Sequence, residues 1–458
     1  MVNTHEIINE EKIHDLLEKG KKASKKEILE IIEKARDCYG LTLEEAAVLL
    51  QIEDTQLLEK LFDAARYIKD KIYGNRIVIF APLYTSNECT NNCLYCGFRS
   101  ANKELHRRTL SADEVVNEAR AIESQGHKRI LLVCGEDPKK THIDHITDSV
   151  SAIYENVDIR RINVNAAPMS VEDFKKLKAV GIGTFQIFQE TYHRETYKKM
   201  HPTGFKSDYD YRLTAIERAF EAGIDDFGIG ALLGLYDYKF DVLGTLMHSQ
   251  YMDDKYSVGP HTISIPRLRP ALGSALETVP YPINDEEFKK IIAVYRLTVP
   301  YTGIILSTRE APALRDELLN LGVSQISAGS RTNPGGYEED DREATQFETS
   351  DERTLDEMLQ VVCEQGHLPS FCTACYRANR TGEAFMELAK DAHIHEFCQP
   401  NAILTFKENL VRFASAKTKE KGEKMIEKEL QKIEDEKVKA ETIKRLERIE
   451  NGEKDLYF

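Results

Sequence analysis

The sequence predicts an α/β protein, specifically a (β/α)8 barrel of the TIM type with helical extensions at both ends. Two observations carry this prediction. From about residue 76 onward, eight short apolar runs alternate with longer amphipathic stretches, a texture typical of βα units on a parallel sheet. The segments before and after this region instead place apolar residues at helical spacing among many Lys and Glu. Eight parallel strands joined by helices close into a barrel, whose functional side chains lie at the carboxyl ends of the strands.

Residues 1–76 form the predicted amino-terminal helical extension. Ile28 and Ile32 lie four residues apart, so they share one face of a helix whose other positions are mostly Glu and Lys. Thr42 followed by Glu45 is a capping box, in which a hydroxyl and a carboxylate satisfy two free backbone N–H groups at a helix start. A helix is therefore predicted to begin after Thr42.

The barrel is predicted to span residues 77–360. Each of its eight strands is a short, mostly apolar run bounded by polar or turn-forming residues. The predicted strands are Ile77–Leu83, Arg129–Val133, Arg161–Asn165, Gly183–Phe188, Asp226–Leu232, Thr262–Pro266, Thr302–Ser307 and Val323–Ala328. Polar side chains that directly follow these runs are the first candidates for a functional site.

Residues 361–458 form a predicted carboxy-terminal helical domain. Before it, residues 333–351 are rich in Gly, Glu and Asp, which indicates a loop, and a helix is predicted near residues 355–365. From about residue 417 to 453, apolar residues recur at helical spacing within a stretch dominated by Lys and Glu. We interpret these charges as the solvated faces of helices.

The composition predicts a cytoplasmic protein that binds neither nucleic acid nor membrane. The 458 residues carry 62 Lys and Arg against 77 Asp and Glu, a net charge of −15, and no basic stripe stands out. No apolar run approaches the roughly 20 residues that span a bilayer, and the charged amino terminus lacks the apolar segment of a signal peptide. Six of the nine cysteines fall into two triplets, which fits a reducing compartment better than a disulfide scaffold.

Cys89, Cys93 and Cys96 follow the first predicted strand in the run Cys-Thr-Asn-Asn-Cys-Leu-Tyr-Cys. Three thiolates leaving one strand end suit a [4Fe-4S] cluster, because they bind three irons and leave the fourth open to a small molecule. A zinc site usually supplies four ligands, and a disulfide leaves an odd cysteine. The remaining alternative is a group of incidental buried thiols.

The spacing Cys-x3-Cys-x2-Cys, with the aromatic Tyr95 before its last cysteine, resembles the motif of the radical S-adenosylmethionine (SAM) enzymes, in which the aromatic residue lies near the adenine. Cys372, Cys375 and Cys398 form a second triplet and predict an auxiliary iron-sulfur cluster, again with an iron left unligated by cysteine. The two triplets in this order resemble the tyrosine lyases of FeFe-hydrogenase maturation. The related 2-iminoacetate synthases of thiazole biosynthesis share the first triplet and the barrel but lack the second triplet.

The resemblance implies several cofactor contacts at the strand ends. Gly135 and Glu136 stand where the superfamily often places a Gly-Gly-Glu run that binds the amino group of SAM, although a tight turn is an alternative reading. Asn165 faces the barrel interior by the alternation of a strand, where polar residues meet a ligand or each other. Gln189 and Glu190 close the fourth strand and are candidates for the cofactor's ribose hydroxyls, with a satisfied polar network as the alternative.

Two carboxylates need cationic partners, one on SAM and one on an amino-acid substrate, and a guanidinium is the best single partner for each. Arg267 and Arg269 follow the sixth strand and are the candidates on the cofactor side. Ser307 with Arg309, after the seventh strand, is the first choice for the substrate carboxylate, and Arg331, after the eighth, is the second. Each arginine has the alternative of pairing with an acid at the barrel rim.

His261 precedes the sixth strand, and a lone histidine there is ordinarily a surface or core residue. The resemblance implies that it instead holds an extra, labile iron beside the auxiliary cluster, with free L-cysteine as a further candidate ligand. Imidazole nitrogen suits ferrous iron in such a mixed set of ligands. His193, His201, His393 and His395 are alternatives with weaker sequence context.

The activity that this resemblance implies has two stages. L-Tyrosine is cleaved between Cα and Cβ to p-cresol and dehydroglycine, and dehydroglycine becomes carbon monoxide and cyanide on iron at the auxiliary site. An electron-donor protein and the other hydrogenase maturation proteins are the expected partners. Two other readings stay open, a 2-iminoacetate synthase and a non-enzymatic iron-sulfur scaffold or electron carrier. An electron carrier needs no open iron, so two three-cysteine sites count against it.

Overall fold

A computed structural model describes residues 4–339, 345–378, 380–390 and 394–458, without the side chains of residues 394–396. Its centre is a closed barrel of eight parallel strands, as predicted. The strands are β1 (Arg76–Ser86), β2 (Arg129–Cys134), β3 (Arg161–Asn165), β4 (Phe185–Gln186), β5 (Phe227–Gly230), β6 (Thr262–Ser264), β7 (Gly303–Leu306) and β8 (Gln325–Ser327). Each pairs in parallel with the next, and β1 pairs with both β2 and β8, which closes the barrel.

All eight predicted strands are confirmed, although several are shorter than the apolar runs that predicted them. The largest shortening is at β4, where only two residues of the predicted six pair as a strand. Strand β1 is instead longer than predicted, with 11 residues. An additional strand, β9 (Leu368–Ser370), pairs in parallel with Arg76–Val78 at the start of β1. Strand β9 therefore extends the sheet at the amino end of the barrel, on the side opposite to the predicted catalytic face.

The helices before the barrel are α1 (Thr4–Ile7), α2 (Glu10–Gly20), α3 (Lys25–Ala35), α4 (Leu43–Leu49) and α5 (Thr55–Tyr73). The capping box at Thr42 is confirmed, with the Thr42 N–H donating to Glu45 Oε2 at 2.9 Å and the Glu45 N–H donating to Thr42 Oγ1 at 3.2 Å. The apolar face of α5, including Leu61, Ile68 and Ile72, is fully buried. Burial of each such side chain contributes about 1.5–3 kcal/mol.

Helices of the barrel region connect the strands and cover the outside of the sheet. They are α6 (Ala112–Ser124), α7 (Ile143–Asn156), α8 (Val171–Ala179), α9 (Arg194–Met200), α10 (Tyr209–Leu213), α11 (Ala215–Glu221), α12 (Tyr238–Tyr256), α13 (Asp285–Thr298) and α14 (Pro312–Leu319). A 3-10 turn, Phe205–Ser207, lies between α9 and α10.

After the barrel follow α15 (Leu355–Glu364), α16 (Ala374–Arg377), α17 (Gly382–Lys390), α18 (Ile394–Arg412), α19 (Ala416–Leu430) and α20 (Glu436–Glu450). Helices α15, α19 and α20 match the predicted helical segments. Within the described residues, no helix is both long and apolar enough to cross a membrane. The division of the chain at residues 76 and 360 stays a prediction.

Candidate active site

The loop after β1 brings Cys89, Cys93 and Cys96 to the wall of one cavity of about 940 Å³, which we call the thiol cavity. Backbone hydrogen bonds hold this loop against its neighbours. The Thr90 N–H donates to the Glu136 carbonyl at 2.8 Å, and the Leu94 N–H donates to the Met200 carbonyl at 3.0 Å. The three thiols are therefore positioned by the loop after β2 and by the end of α9 together.

Burial raises the pKa of Cys93 to about 12 and that of Cys96 to about 11, and it also raises the pKa of Cys89. Free thiols here stay protonated at neutral pH, whereas iron binding stabilises the thiolate. Three thiols on the wall of an open cavity fit an iron-sulfur cluster that also faces a small molecule. In the described part of the chain, no three His, Cys, Asp or Glu side chains converge closely enough to hold a single metal ion, so their ligand role stays a prediction.

Gly135 and Glu136 directly follow β2 and line the thiol cavity, and so does Cys134, the last residue of that strand. A Cβ at position 135 would overlap the carbonyl oxygen of Glu88 in the cysteine loop, so only glycine fits between the two loops. The Glu136 carboxylate accepts a hydrogen bond from Asn91 Nδ2 at 2.6 Å. Glu136 thus faces the place where a cofactor amino group is predicted.

Tyr95 also lines the thiol cavity, and its hydroxyl lies 2.8 Å from His201 Nε2. The two rings meet edge to face with centroids 5.5 Å apart. Burial lowers the pKa of His201 to about 3, so His201 is neutral and serves as a hydrogen-bond partner of the phenol. Its other ring nitrogen, Nδ1, lies 2.8 Å from the Tyr197 carbonyl oxygen.

Glu190 lines the thiol cavity and has a φ of 69°, an uncommon conformation for a residue other than glycine. Its carboxylate pairs with Lys206 Nζ at 2.5 Å and with Arg212 Nη2 at 3.5 Å. Burial alone would raise the pKa of Glu190, but these two cations outweigh it and hold the pKa below its usual value. Asn165 lines the same cavity. Gln189 does not line this cavity, and its amide donates to the Tyr209 carbonyl at 3.4 Å.

Arg267 and Arg269 both bind Glu310, which is 1% exposed. Arg267 Nε donates to the Glu310 carboxylate at 3.0 Å, and Arg269 Nη2 donates to the same oxygen at 2.6 Å. Only Arg269 lines the thiol cavity, while Arg267 also pairs with Asp285 at 2.9 Å. For Arg267, the alternative of pairing with acidic residues at the barrel rim therefore fits the structure better than a direct contact with the cofactor.

A second cavity of about 690 Å³, the barrel cavity, continues from the thiol cavity into the barrel, and Asn165 and Arg309 line both. The Arg309 guanidinium lies 3.4 Å from the centre of the Phe347 ring, and the Arg309 N–H donates to Ser307 Oγ at 3.4 Å. Ser307 also lines the barrel cavity, and its role as a substrate contact stays a prediction. Arg331 lines a different, neighbouring pocket, where its backbone N–H donates to the Tyr337 hydroxyl at 3.2 Å.

A third cavity of about 520 Å³, the lower cavity, lies at the amino end of the barrel. Cys372, Cys375 and Cys398 line it together with His261. Cys372 comes two residues after β9, and Cys398 is carried by α18. The predicted auxiliary triplet is therefore assembled from two distant segments, and the structure brings it together with the predicted histidine.

The ring of His261 is fixed by its neighbours. His261 Nδ1 lies 2.9 Å from Asp226 Oδ2, and the ring stacks on Phe385 with centroids 4.3 Å apart. Because Asp226 engages Nδ1, the second ring nitrogen is left for a metal, the arrangement in which carboxylates orient metal-binding histidines. Among the alternatives, His193 stacks on Tyr236 instead. His393 and the side chain of His395 lie outside the described residues.

Three side chains of the candidate site, Lys206, Arg212 and Glu310, were not predicted from the sequence. Lys206 and Arg212, which pair with Glu190, lie in the connection after α9 and in α10, so no strand end or motif points to them. Glu310, which joins the two arginines, directly follows Arg309 at the carboxyl end of β7, so the strand-end rule was sufficient to find it.

Two family models match the barrel region. Residues 83–246 match the Radical SAM superfamily, and residues 264–368 match the Biotin and Thiamin Synthesis associated domain. A solved structure of HydG, a maturase of the [FeFe]-hydrogenase, is 57% identical, covers 99% of this chain and 100% of its own, and superposes with a TM-score of 0.96. The chain belongs to the HydG family.

Other relatives agree with this assignment. The HydG of Carboxydothermus hydrogenoformans is 45% identical, with 97% of this chain and 100% of that chain covered and a TM-score of 0.87. The 2-iminoacetate synthase of Escherichia coli is 34% identical over 340 residues, which are 74% of this chain and 89% of that enzyme. The HydG structures thus match nearly the whole chain, whereas the match to the synthase leaves about a quarter of it unmatched.

Proposed function

We propose that this chain cleaves L-tyrosine between Cα and Cβ to p-cresol and dehydroglycine, and then converts dehydroglycine into carbon monoxide and cyanide on iron for the hydrogenase active site. One observation carries this proposal over the alternatives. A second thiol triplet and His261 line a separate cavity at the opposite end of the same barrel. A lyase that stops at the first products needs no such site.

The thiol cavity is the proposed place of the first stage. Cys89, Cys93 and Cys96 would hold a [4Fe-4S] cluster, and the wall next to them would hold SAM. When bound, the cluster and SAM supply an electron and the deoxyadenosyl radical that removes a hydrogen atom from the substrate. Glu136 offers a carboxylate to the cofactor's amino group, and Glu190 offers one to its ribose hydroxyls.

The barrel cavity is the proposed place of the substrate. Arg309 has its guanidinium over the ring of Phe347, and burial lowers its pKa, so an anionic partner such as an amino-acid carboxylate stabilises its charged form. Ser307 lies beside it to donate a hydrogen bond to the same carboxylate. The largely apolar wall excludes water around the reacting atoms.

The lower cavity is the proposed place of the second stage. Val78 and Phe80 point to the same side of β1 by the alternation of a strand, and Val78 lines the lower cavity while Phe80 lines the barrel cavity. The lower cavity and the barrel cavity are therefore separated by the distance between two successive side chains on the same side of β1. His261, oriented by Asp226, would hold the iron that carries the product, with free L-cysteine as a further ligand.

The expected partners are an electron-donor protein and the other maturation proteins of the hydrogenase. The first follows from the need to reduce the cluster, and the second follows from the iron product that the proposed reaction would deliver. Neither nucleic acid nor a membrane is expected as a partner, since the chain carries a net charge of −15 without a basic stripe.

The test is an anaerobic assay of the reduced, reconstituted full chain with SAM and tyrosine. Deoxyadenosine, p-cresol, cyanide and carbon monoxide are all expected. Release of p-cresol without carbon monoxide would instead favour the activity of a 2-iminoacetate synthase. This enzyme is the alternative because the chain is 34% identical to it. Bound iron without deoxyadenosine would favour a scaffold or an electron carrier.

A further inference from the structure

Gln186 has a buried polar atom that no side chain or backbone group of the described residues uses. Its side chain is 2% exposed and lines the barrel cavity from β4. The Gln186 Oε1 atom has no hydrogen-bond partner among the described residues. A buried acceptor without a donor is costly, and such an atom on a cavity wall points to a ligand that supplies the donor.

The neighbouring strand leaves room for this side chain. Gly228 on β5 is the register partner of Gln186, and a Cβ on Gly228 would lie 3.0 Å from Gln186 Cγ. A side chain at position 228 would first meet Thr262 Oγ1, 2.5 Å from that Cβ, and would also crowd Gln186. Gln186 is thus a polar side chain on a wall that also carries the apolar side chains of Phe80, Leu131 and Phe188.

Gln186 and Arg309 lie on the same cavity at different levels of the barrel. Through the hydrogen-bonded register, Gln186 shares a row with Gly228, Thr262 and Gly303. Ser307, beside Arg309, lies four residues beyond Gly303 on the way to the carboxyl end of the barrel, and all three polar side chains, Gln186, Ser307 and Arg309, line the barrel cavity. A tyrosine whose carboxylate is held by Arg309 therefore has a buried acceptor in the same cavity for the hydroxyl at its other end.

We propose that Gln186 accepts a hydrogen bond from the substrate's phenol hydroxyl and thereby makes the site select tyrosine over phenylalanine. This inference rests on the proposed function, in which tyrosine is the substrate held by Arg309. A site built to bind a hydroxyl rejects the analogue that lacks it, because the buried acceptor is then left without a partner.

The test is calorimetric titration of the anaerobically reconstituted full chain with SAM and without reductant, so that no turnover occurs. We expect the wild type to bind tyrosine at least about 10-fold more tightly than phenylalanine. Gln186→Met, which keeps the side-chain length but removes the acceptor, should weaken tyrosine binding and strengthen phenylalanine binding, because no buried acceptor is then left without a partner. Gln365→Met on the far side of the chain, where Gln365 pairs with Asn320, is the matched control and should keep the wild-type preference.

Two results would overturn the inference. A folded Gln186→Met variant with the wild-type preference would do so, and so would equal weakening for both amino acids, which indicates a role in shape alone. If that variant does not fold, the inference is tested with the wild type alone, by titrating it with a third amino acid besides tyrosine and phenylalanine. 4-Aminophenylalanine retains a donor and should bind more tightly than phenylalanine, and equal affinities for all three ligands would refute the proposal. A wild type that binds none of them would refute the proposed substrate instead.

Discussion

At the scale of single residues, Arg309 is the side chain with the best position to bind a substrate carboxylate. It lines both the thiol cavity and the barrel cavity, the proposed places of the cofactor and of the substrate. We predict that Arg309→Lys, which keeps the charge but loses the planar fork, weakens tyrosine binding by about 2 kcal/mol or more and spares SAM binding. Separate titrations with the two ligands measure this. An unchanged tyrosine affinity would move the role to Arg331.

Cys93 is the buried residue of the first triplet, whereas Cys89 and Cys96 are partly exposed. Its loss should leave the cluster with an incomplete set of ligands. We predict that Cys93→Ala abolishes both deoxyadenosine and p-cresol formation, while iron bound at the second triplet persists. Chromatographic product assays and iron analysis measure these effects. Cys363→Ala is the control, because Cys363 is a buried thiol of α15 outside all three cavities. Deoxyadenosine formation at the wild-type rate in Cys93→Ala would contradict the cluster assignment.

Asp241 gives a prediction about pH. This buried carboxyl of α12 accepts hydrogen bonds from Thr191 Oγ1 at 2.9 Å and from the Tyr192 N–H at 2.8 Å, yet burial raises its pKa to about 7. The folded chain therefore keeps this proton up to about pH 7, whereas the unfolded chain loses it near pH 4. As the pH rises between these values, only the unfolded state ionises, so the contribution of Asp241 to stability falls.

We predict that Asp241→Asn removes this pH dependence. Relative to the wild type, the free energy of unfolding of the variant should improve by up to a few kcal/mol between pH 4.5 and pH 7.5. Urea unfolding of both proteins at several pH values measures the difference. A difference that stays constant across this range would show that Asp241 is ionised in the folded chain.

At the scale of elements, strands are predictable where burial on both faces of a parallel sheet produces a continuous apolar run, as in Ile77–Leu83 and Arg129–Val133. Strand β9 could not be found in this way, because it has only three residues and contains Pro369. It forms because the start of β1 is long enough to pair with a further strand. The position of the second triplet at the amino end of the barrel follows from β9 and was therefore not predictable.

The close contact between the loops after β1 and β2 gives the prediction at this scale. Gly135 leaves no room for a Cβ beside the Glu88 carbonyl, so Gly135→Ala should displace the cysteine loop. We predict a loss of SAM binding of tenfold or more, about 1.4 kcal/mol, with iron at the second triplet retained. Titration with SAM measures this change. Gly366→Ala is the control, because Gly366 has a φ of 82° and open space around it, so this substitution adds backbone strain without the clash that Gly135→Ala produces. An unchanged SAM affinity in Gly135→Ala would contradict the prediction, because it would mean that the cysteine loop accommodates the added methyl group without loss of the SAM site.

At the scale of the whole molecule, two thiol triplets lie at opposite ends of one barrel with a cavity between them. Cysteine spacing predicts both triplets, because the spacing is a local property of the chain. The pairing of Glu190 with Lys206 and Arg212, and the contact of Asp226 with His261, join segments that only the fold brings together. These partners carry no local pattern, which is why sequence reasoning finds the ligands but not the residues that orient them.

The separation of the two triplets predicts that the two stages fail independently. We expect that Cys372→Ser with Cys375→Ser leaves tyrosine cleavage to p-cresol largely intact, removes carbon monoxide and sharply lowers cyanide, because these thiols line only the lower cavity. His261→Ala should have a milder effect of the same kind, since the three thiols remain. The measurement is the ratio of carbon monoxide to p-cresol in each variant under identical reducing conditions. A wild-type ratio in the double serine variant would make the second triplet structural and would favour the 2-iminoacetate synthase reading.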